Sequence, residues 1–196
     1  NPRFMLELSA TPNHKKHLSN ILCSVGGDAL KKEQMIKLPI EFDNIKDGNW
    51  QLTIDKSLEK LNQLQKEAYN VREMNGTYIR PIALIRVERT GKDQRDSGFI
   101  HAEDVREYLV QQCGINPDTV RVKSSDKDEI ENENLLDPYS QVRIIITKDA
   151  LKEGWDCPFA YVLCVLSNTT GGTALTQMIG RVLRQPYALA TPIKAL

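Results

Sequence analysis

The sequence predicts an α/β fold, a parallel sheet with helices on both faces. Two observations point there. After Gly76, short apolar runs alternate with helix-like segments; Ile82–Val87 and Val142–Thr147 are apolar but for Arg86, Arg143 and Thr147, and Phe159–Leu166 is apolar throughout. A strand covered on both faces needs consecutive apolar residues, and strand–helix alternation supplies the crossovers that parallel strands require.

Each element follows in order. Phe4–Leu8 reads as a short strand running into Ser9-Ala10-Thr11-Pro12, where Pro12 stops regular pairing. Polar, basic Asn13–Asn20 reads as loop. Ile21–Val25 reads as a second short strand, closed by Gly26-Gly27, and Asp28 is placed to cap a helix over Ala29–Lys37 that Pro39 would end. Leu38–Leu52 has no clear period and reads as a connector. From Asp55 to Asn75, Leu58, Leu61, Leu64, Ala68 and Val71 recur at three- and four-residue steps, with Gly76 as the stop. That is an amphipathic helix of about five or six turns, its heptad-like stripe read as packing on its own domain, with a coiled-coil partner as the alternative. After the strand Ile82–Val87 come a helix over Ala102–Cys113 stopped by Gly114, a short strand Thr119–Val122 and a solvated acidic loop Asp126–Asp137. The strand Val142–Thr147, a short helix Asp149–Glu153 ended by Gly154, the strand Phe159–Leu166 and a helix Thr173–Arg184 complete the pattern. Residues 1–12 read as the end of a preceding unit, 13–76 as a connector with the long helix, and 77–196 as the sheet domain.

Composition narrows the function classes. The 196 residues carry 26 Lys+Arg and 26 Asp+Glu, so a nucleic-acid contact must come from a local patch rather than from bulk charge. The longest apolar run, Phe159–Leu166, is far too short for a membrane span, so no membrane partner is expected. The four cysteines (Cys23, Cys113, Cys157, Cys164) form no CxxC and have no histidine at ligand spacing, which predicts reduced thiols in a cytoplasmic protein and no metal site. His14, His17 and His101 stand in no nucleophile–base pattern.

Three groups of residues bear on chemistry. Gln177, Arg181 and Arg184 stand at i, i+4 and i+7, one face of the last predicted helix, with Gly180 allowing close approach. Two guanidiniums and an amide suit a polyanion such as phosphate, and a surface helix with solvated arginines would have the same spacing. In Ile144–Pro158, Thr147 and Lys148 follow a buried strand at its carboxyl end, where open parallel sheets bind ligands. Gly154 turns the chain, and Asp156 stands where it would accept hydrogen bonds from ribose hydroxyls or merely order the turn. Ser9 and Thr11 place two hydroxyls after the first strand, which suits coupling between neighbouring elements. No G-x-x-x-x-G-K-[ST] loop occurs in the sequence. Asp128-Glu129 follows polar residues rather than an apolar strand and reads as solvated loop.

Taken in order, Leu8-Ser9-Ala10-Thr11-Pro12, then Thr147 with Glu153-Gly154-Trp155-Asp156-Cys157-Pro158, then Gln177-Met178-Ile179-Gly180-Arg181-Val182-Leu183-Arg184 resemble motifs III, V and VI of superfamily 2 helicases and translocases. The wording is similar to the restriction (Res) subunit of type III restriction enzymes, also at Met35–Ile40, Arg80–Ile85, Lys152–Leu163 and Gln185-Pro186. The resemblance implies a RecA-like second motor lobe, preceded by a strand remnant of the first lobe. ATP and Mg2+ would be held mainly by the first lobe, in cis, with DNA lying across both lobes. It further implies that Arg181 and Arg184 reach the γ-phosphate as arginine fingers, with Gln177 and Gly180 beside the nucleotide and Gly154 and Asp156 near its γ-phosphate side and ribose. Thr147 and Lys148 would lie near the nucleic-acid backbone, and Ser9 and Thr11 would couple hydrolysis to movement. A modification (methyltransferase) subunit is the implied partner, and site-specific DNA cleavage belongs to the family through a nuclease domain that this sequence lacks. Gln177, where the DEAD-box branch has histidine, favours DNA translocation over RNA remodelling. Two other readings are a superfamily 2 helicase without nuclease and a catalytically dead RecA-like module that binds DNA or protein.

Overall fold

The computed structural model describes residues 6, 20–45, 48–88, 99–124, 127–148, 155–167 and 172–188. Among the described residues, four strands form one all-parallel sheet: β1 (Ile82–Arg86), β2 (Val120–Lys123), β3 (Ile144–Thr147) and β4 (Ala160–Val165), in the order β2-β3-β1-β4. The predicted α/β class is therefore what the chain forms, an open sheet consistent with a RecA-like lobe. Burial follows position in the sheet. Every residue of β3 and all of β1 but Arg86 are buried, whereas β2 and β4, at the edges, alternate between buried and half-buried. The two central strands are thus covered on both faces, whereas β4, although its run Phe159–Leu166 is apolar throughout, is an edge strand with alternate residues only half-buried.

Helices cover both faces. The longest, α2 (Trp50–Asn75), turns Ile54, Leu61, Leu64, Ala68 and Val71 inward, and its Ser57 hydrogen-bonds Cys164 of β4. Tyr161, three residues earlier on β4 and so on the opposite face, lies under Lys37, which is bonded to the end of α4 (Gly172–Val182). The helix α2 begins five residues before the predicted Asp55, because the Asn49 side chain accepts from the Gln51 and Leu52 N–H groups. It ends where expected, at Gly76 in the left-handed conformation (φ 75°), whose N–H returns to Arg72 O at 2.8 Å.

The helix predicted over Ala102–Cys113 is α3 (Ala102–Glu107), capped by His101, continued by a π-helical turn Tyr108–Gln112. Tyr108 meets α2 there: its hydroxyl donates to Asp55 Oδ1 at 2.9 Å, and its ring packs edge-on against Trp50. This bond to the carboxylate keeps the phenol protonated, pushing Tyr108 up to about 12.

Several expectations are corrected. Ile21–Val25 forms no strand and is exposed. The next helix, α1, is Gly27–Lys32 rather than Ala29–Lys37, with Gly26 at its N-cap and Asp28 in its first turn. Residues 35–37 leave the helix because they pair with distant chain: Lys37 N–H donates to Leu183 O (2.7 Å) and Gln185 N–H to Met35 O (3.1 Å). The acidic stretch is loop with most of its described residues exposed, as expected, but it is anchored to its neighbours. Ile130 and Leu135 are buried, and Asp128 pairs with Lys123. Glu129 accepts from Val122 N–H at 2.7 Å and from Arg106 at 3.0 Å. Although burial opposes it, hydrogen bonds from Lys127, Val122 and Arg106 hold the Glu129 carboxyl below its usual range. The strand predicted over Phe4–Leu8 falls outside the described residues except for exposed Leu6, and the helix Asp149–Glu153 falls wholly outside them. Among the described residues no helix is long and apolar enough to cross a membrane.

Candidate functional site

The connection from β4 to its neighbours assembles the site. The chain leaves β4 at Val165, on the carboxyl edge of the sheet, and α4 carries it back to the amino edge. There the end of α4 meets Trp155-Asp156-Cys157, the segment that leads into β4. Arg184 Nη1 lies 2.8 Å from Asp156 Oδ2. Arg181 Nη1 donates to the Trp155 carbonyl at 2.5 Å. Two predicted groups, distant in sequence, therefore share one place: Arg184 pairs with the Asp156 carboxylate and Arg181 holds the carbonyl before it. The Asp156 and Arg184 side chains are 45% and 52% exposed, so a ligand can reach both.

Arg184 reaches that position in a way the spacing did not predict. The expected helix Thr173–Arg184 ends at Val182, and Arg184 lies beyond it, opposite Ile36 in an isolated antiparallel bridge. Gln177 and Arg181 remain on α4 at i and i+4, Gln177 exposed and Arg181 half-buried, while Met178 and Val182 form its buried side. Gly180 is exposed, and a Cβ added there would meet nothing within 4 Å, so this glycine is not required by packing in the chain itself.

Thr147 and Lys148 stand at the carboxyl end of β3, as expected, but both are buried. In a parallel sheet the end of β3 and the start of β4 lie on opposite edges. The strand rise puts the two groups on the order of 13–20 Å apart. Thr147 and Lys148 share the carboxyl edge, while Asp156, Arg181 and Arg184 occupy the other. Ser9, Thr11 and Gly154 lie outside the described residues.

Sequence reasoning missed Lys37. It is buried at the amino edge, where its Nζ donates to Ala160 O (2.6 Å) and Val182 O (2.7 Å). Burial lowers it to about 7, against the pull of Cys157 and Asp156. Cys157 is fully buried, and burial pushes its thiol up to about 11, so it is neutral near pH 7. The available signal was a lone lysine set between Ile36 and Leu38. A shallow groove of about 710 Å³ opens elsewhere, between α2 and the π-helical turn, lined by Asp55, Glu59, Lys66, Tyr108 and Cys113 among others, and none of the predicted site residues lines it. Among the described residues no three His, Cys, Asp or Glu side chains are grouped to hold a metal ion. Comparison with protein-family models, with curated proteins and with solved structures gives no match.

Proposed function

We propose that the chain is the second RecA-like lobe of an ATP-dependent DNA translocase of superfamily 2, of the kind found in the restriction subunit of type III restriction enzymes. The observation that carries the reading is the meeting of Asp156, Arg181 and Arg184 at one edge of the sheet, the residues that the motif resemblance assigns to nucleotide. The donor set fits a polyphosphate: guanidiniums keep their charge and offer paired N–H donors to phosphate oxygens. Asp156 and Arg184 form an ion pair on an exposed surface, and such a pair is worth at most about 1 kcal/mol. Arg184 can therefore exchange the carboxylate for a phosphate oxygen at little cost.

In this reading the 196 residues hold neither the phosphate-binding loop nor the magnesium ligands, which come from a first lobe in cis. Bound ATP with Mg2+ supplies the phosphoryl group whose transfer drives the motor. Arg184 and Arg181 stabilise charge on the transferred group from the second lobe, Gln177 lies beside it on the exposed side of α4, and Asp156 orients Arg184. DNA runs along the other edge, near Thr147 and Lys148. A modification subunit supplies sequence recognition, and the assembly works in the cytoplasm.

The test is DNA-stimulated ATP hydrolysis by the intact motor, wild type against Arg184→Ala. The expected result is a fall of about a thousandfold or more in turnover with nucleotide binding retained. Unchanged turnover overturns the motor reading and leaves a module that binds DNA or protein without hydrolysis.

A further inference from the structure

Lys37 has no part in the reading above, yet it is one of the most enclosed charged residues described, with 5% of its surface exposed. Enclosing an ammonium carries a large desolvation penalty, and an apolar residue of similar volume is often as stable or more so. Space filling therefore does not account for a lysine here. Its bonds are specific. Nζ donates to Ala160 O at 2.6 Å and Val182 O at 2.7 Å, and it lies 4.0 Å from the centre of the Tyr161 ring. A cation also complements the free carbonyls at the end of a helix.

The two carbonyls locate its effect. Val182 ends α4 two residues before Arg184, and Ala160 begins β4 four residues after Asp156. One side chain thus ties together the two segments that carry the ion pair. The backbone adds to the tie: Lys37 N–H donates to Leu183 O and Met35 O accepts from Gln185 N–H, which brackets Arg184 opposite Ile36. The groups facing the ammonium are Tyr161 from β4, Asp156 and Cys157 from the segment before it, and the Val182 carbonyl from α4.

We propose that Lys37 is a positioning residue for the Asp156–Arg184 pair, clamping the end of α4 to the start of β4 so that Arg184 is held in place for the nucleotide. This rests on the motor reading, since it gives the held geometry its use. A shift of about 1 Å at a reacting group is enough to cost about a hundredfold in rate.

The experiment compares ATP turnover by the intact motor for wild type, Lys37→Met, Arg184→Ala and the double variant, with folding checked by thermal unfolding. Lys37→Met is expected to lower kcat about tenfold to a hundredfold while KM for ATP changes by less than about twofold. The double variant is expected to be no slower than Arg184→Ala alone, because the clamp acts through Arg184. If Lys37→Met does not fold, Lys37→Gln retains N–H donors without the charge and takes its place in the same comparison. A lysine that only stabilises the fold would slow the double variant further, and that outcome, or an undiminished kcat while Arg184→Ala collapses, overturns this proposal alone. Full turnover by Arg184→Ala overturns the motor reading and this proposal with it.

Discussion

Arg184 and Asp156 face each other at 2.8 Å, each side chain about half exposed, at the point where the end of α4 returns to the start of β4. Charges in that setting are well solvated, so their attraction contributes little to folding. Removing either partner, in Arg184→Ala or Asp156→Ala, is expected to change unfolding free energy by no more than about 1 kcal/mol. Urea unfolding of both single variants and the double variant measures it. A coupling above about 2 kcal/mol would make the pair a structural staple rather than a surface held ready for a ligand.

The motor reading makes a separate demand on the side chain of Arg184. Lysine keeps the charge and loses the planar fork of donors. Arg184→Lys is therefore expected to leave ATP turnover depressed by about a hundredfold, with stability unchanged. Near-normal turnover in this variant would mean that charge alone suffices and that no paired phosphate contact is made.

Lys37 imposes a direction on the pH dependence of stability. Its ordinary value is 10.5 and burial brings it to about 7 in the folded chain. Between those values the unfolded chain binds the additional proton, so raising the pH from about 7 favours the folded state. Below 7 the ammonium is protonated in both states and contributes no slope. Cys157 and Cys164 act oppositely: burial pushes both from 9.0 to about 11, so the folded chain retains their protons and loses stability as pH rises above 9. The clean window is pH 7 to 9. Thermal midpoints should climb across it in the wild type, and Lys37→Met should flatten the climb. An equal climb in the variant would assign the slope to another group.

How far the sequence could be read depended on how local each signal was. The strands β1, β3 and β4 and the inward stripe of α2 are written in adjacent residues, and their positions were legible within a few residues. That Asp156, Arg181 and Arg184 come near one another was not legible in the spacing; the motif resemblance only implied a shared nucleotide. The departure of Arg184 from α4 was not legible either. Its spacing of seven from Gln177 is what a continuous helix would give, and what ends the helix is pairing with residues 35–37, far away in the chain. The same long-range pairing buries Lys37, which local pattern placed at the end of a helix. The acidic stretch is loop, as read, but its anchoring was not legible, for a related reason. Its charges look solvated until Arg106, Arg121 and Lys123 from other segments are placed against Glu129, Glu133 and Asp128.

Arg80 offers the sharpest test of that organised acidic stretch. The residue is 6% exposed. Its guanidinium donates to the carbonyls of Leu135 (2.6 Å), Asp137 (2.9 Å) and Ser140, and to the Tyr78 hydroxyl at 3.1 Å. One side chain thus gathers three backbone acceptors from a segment that has no strand or helix of its own. In Arg80→Met those carbonyls lose their donor, at a cost of about 3 kcal/mol. The loss should be local first. Amide exchange over residues 130–140 should quicken well before that of β1 and β3, whose ladder bonds do not involve Arg80. On the motor reading, ATP turnover per folded molecule should be unchanged. Uniformly faster exchange across the sheet would instead make Arg80 a support of the whole core, with the 130–140 segment held by its own contacts.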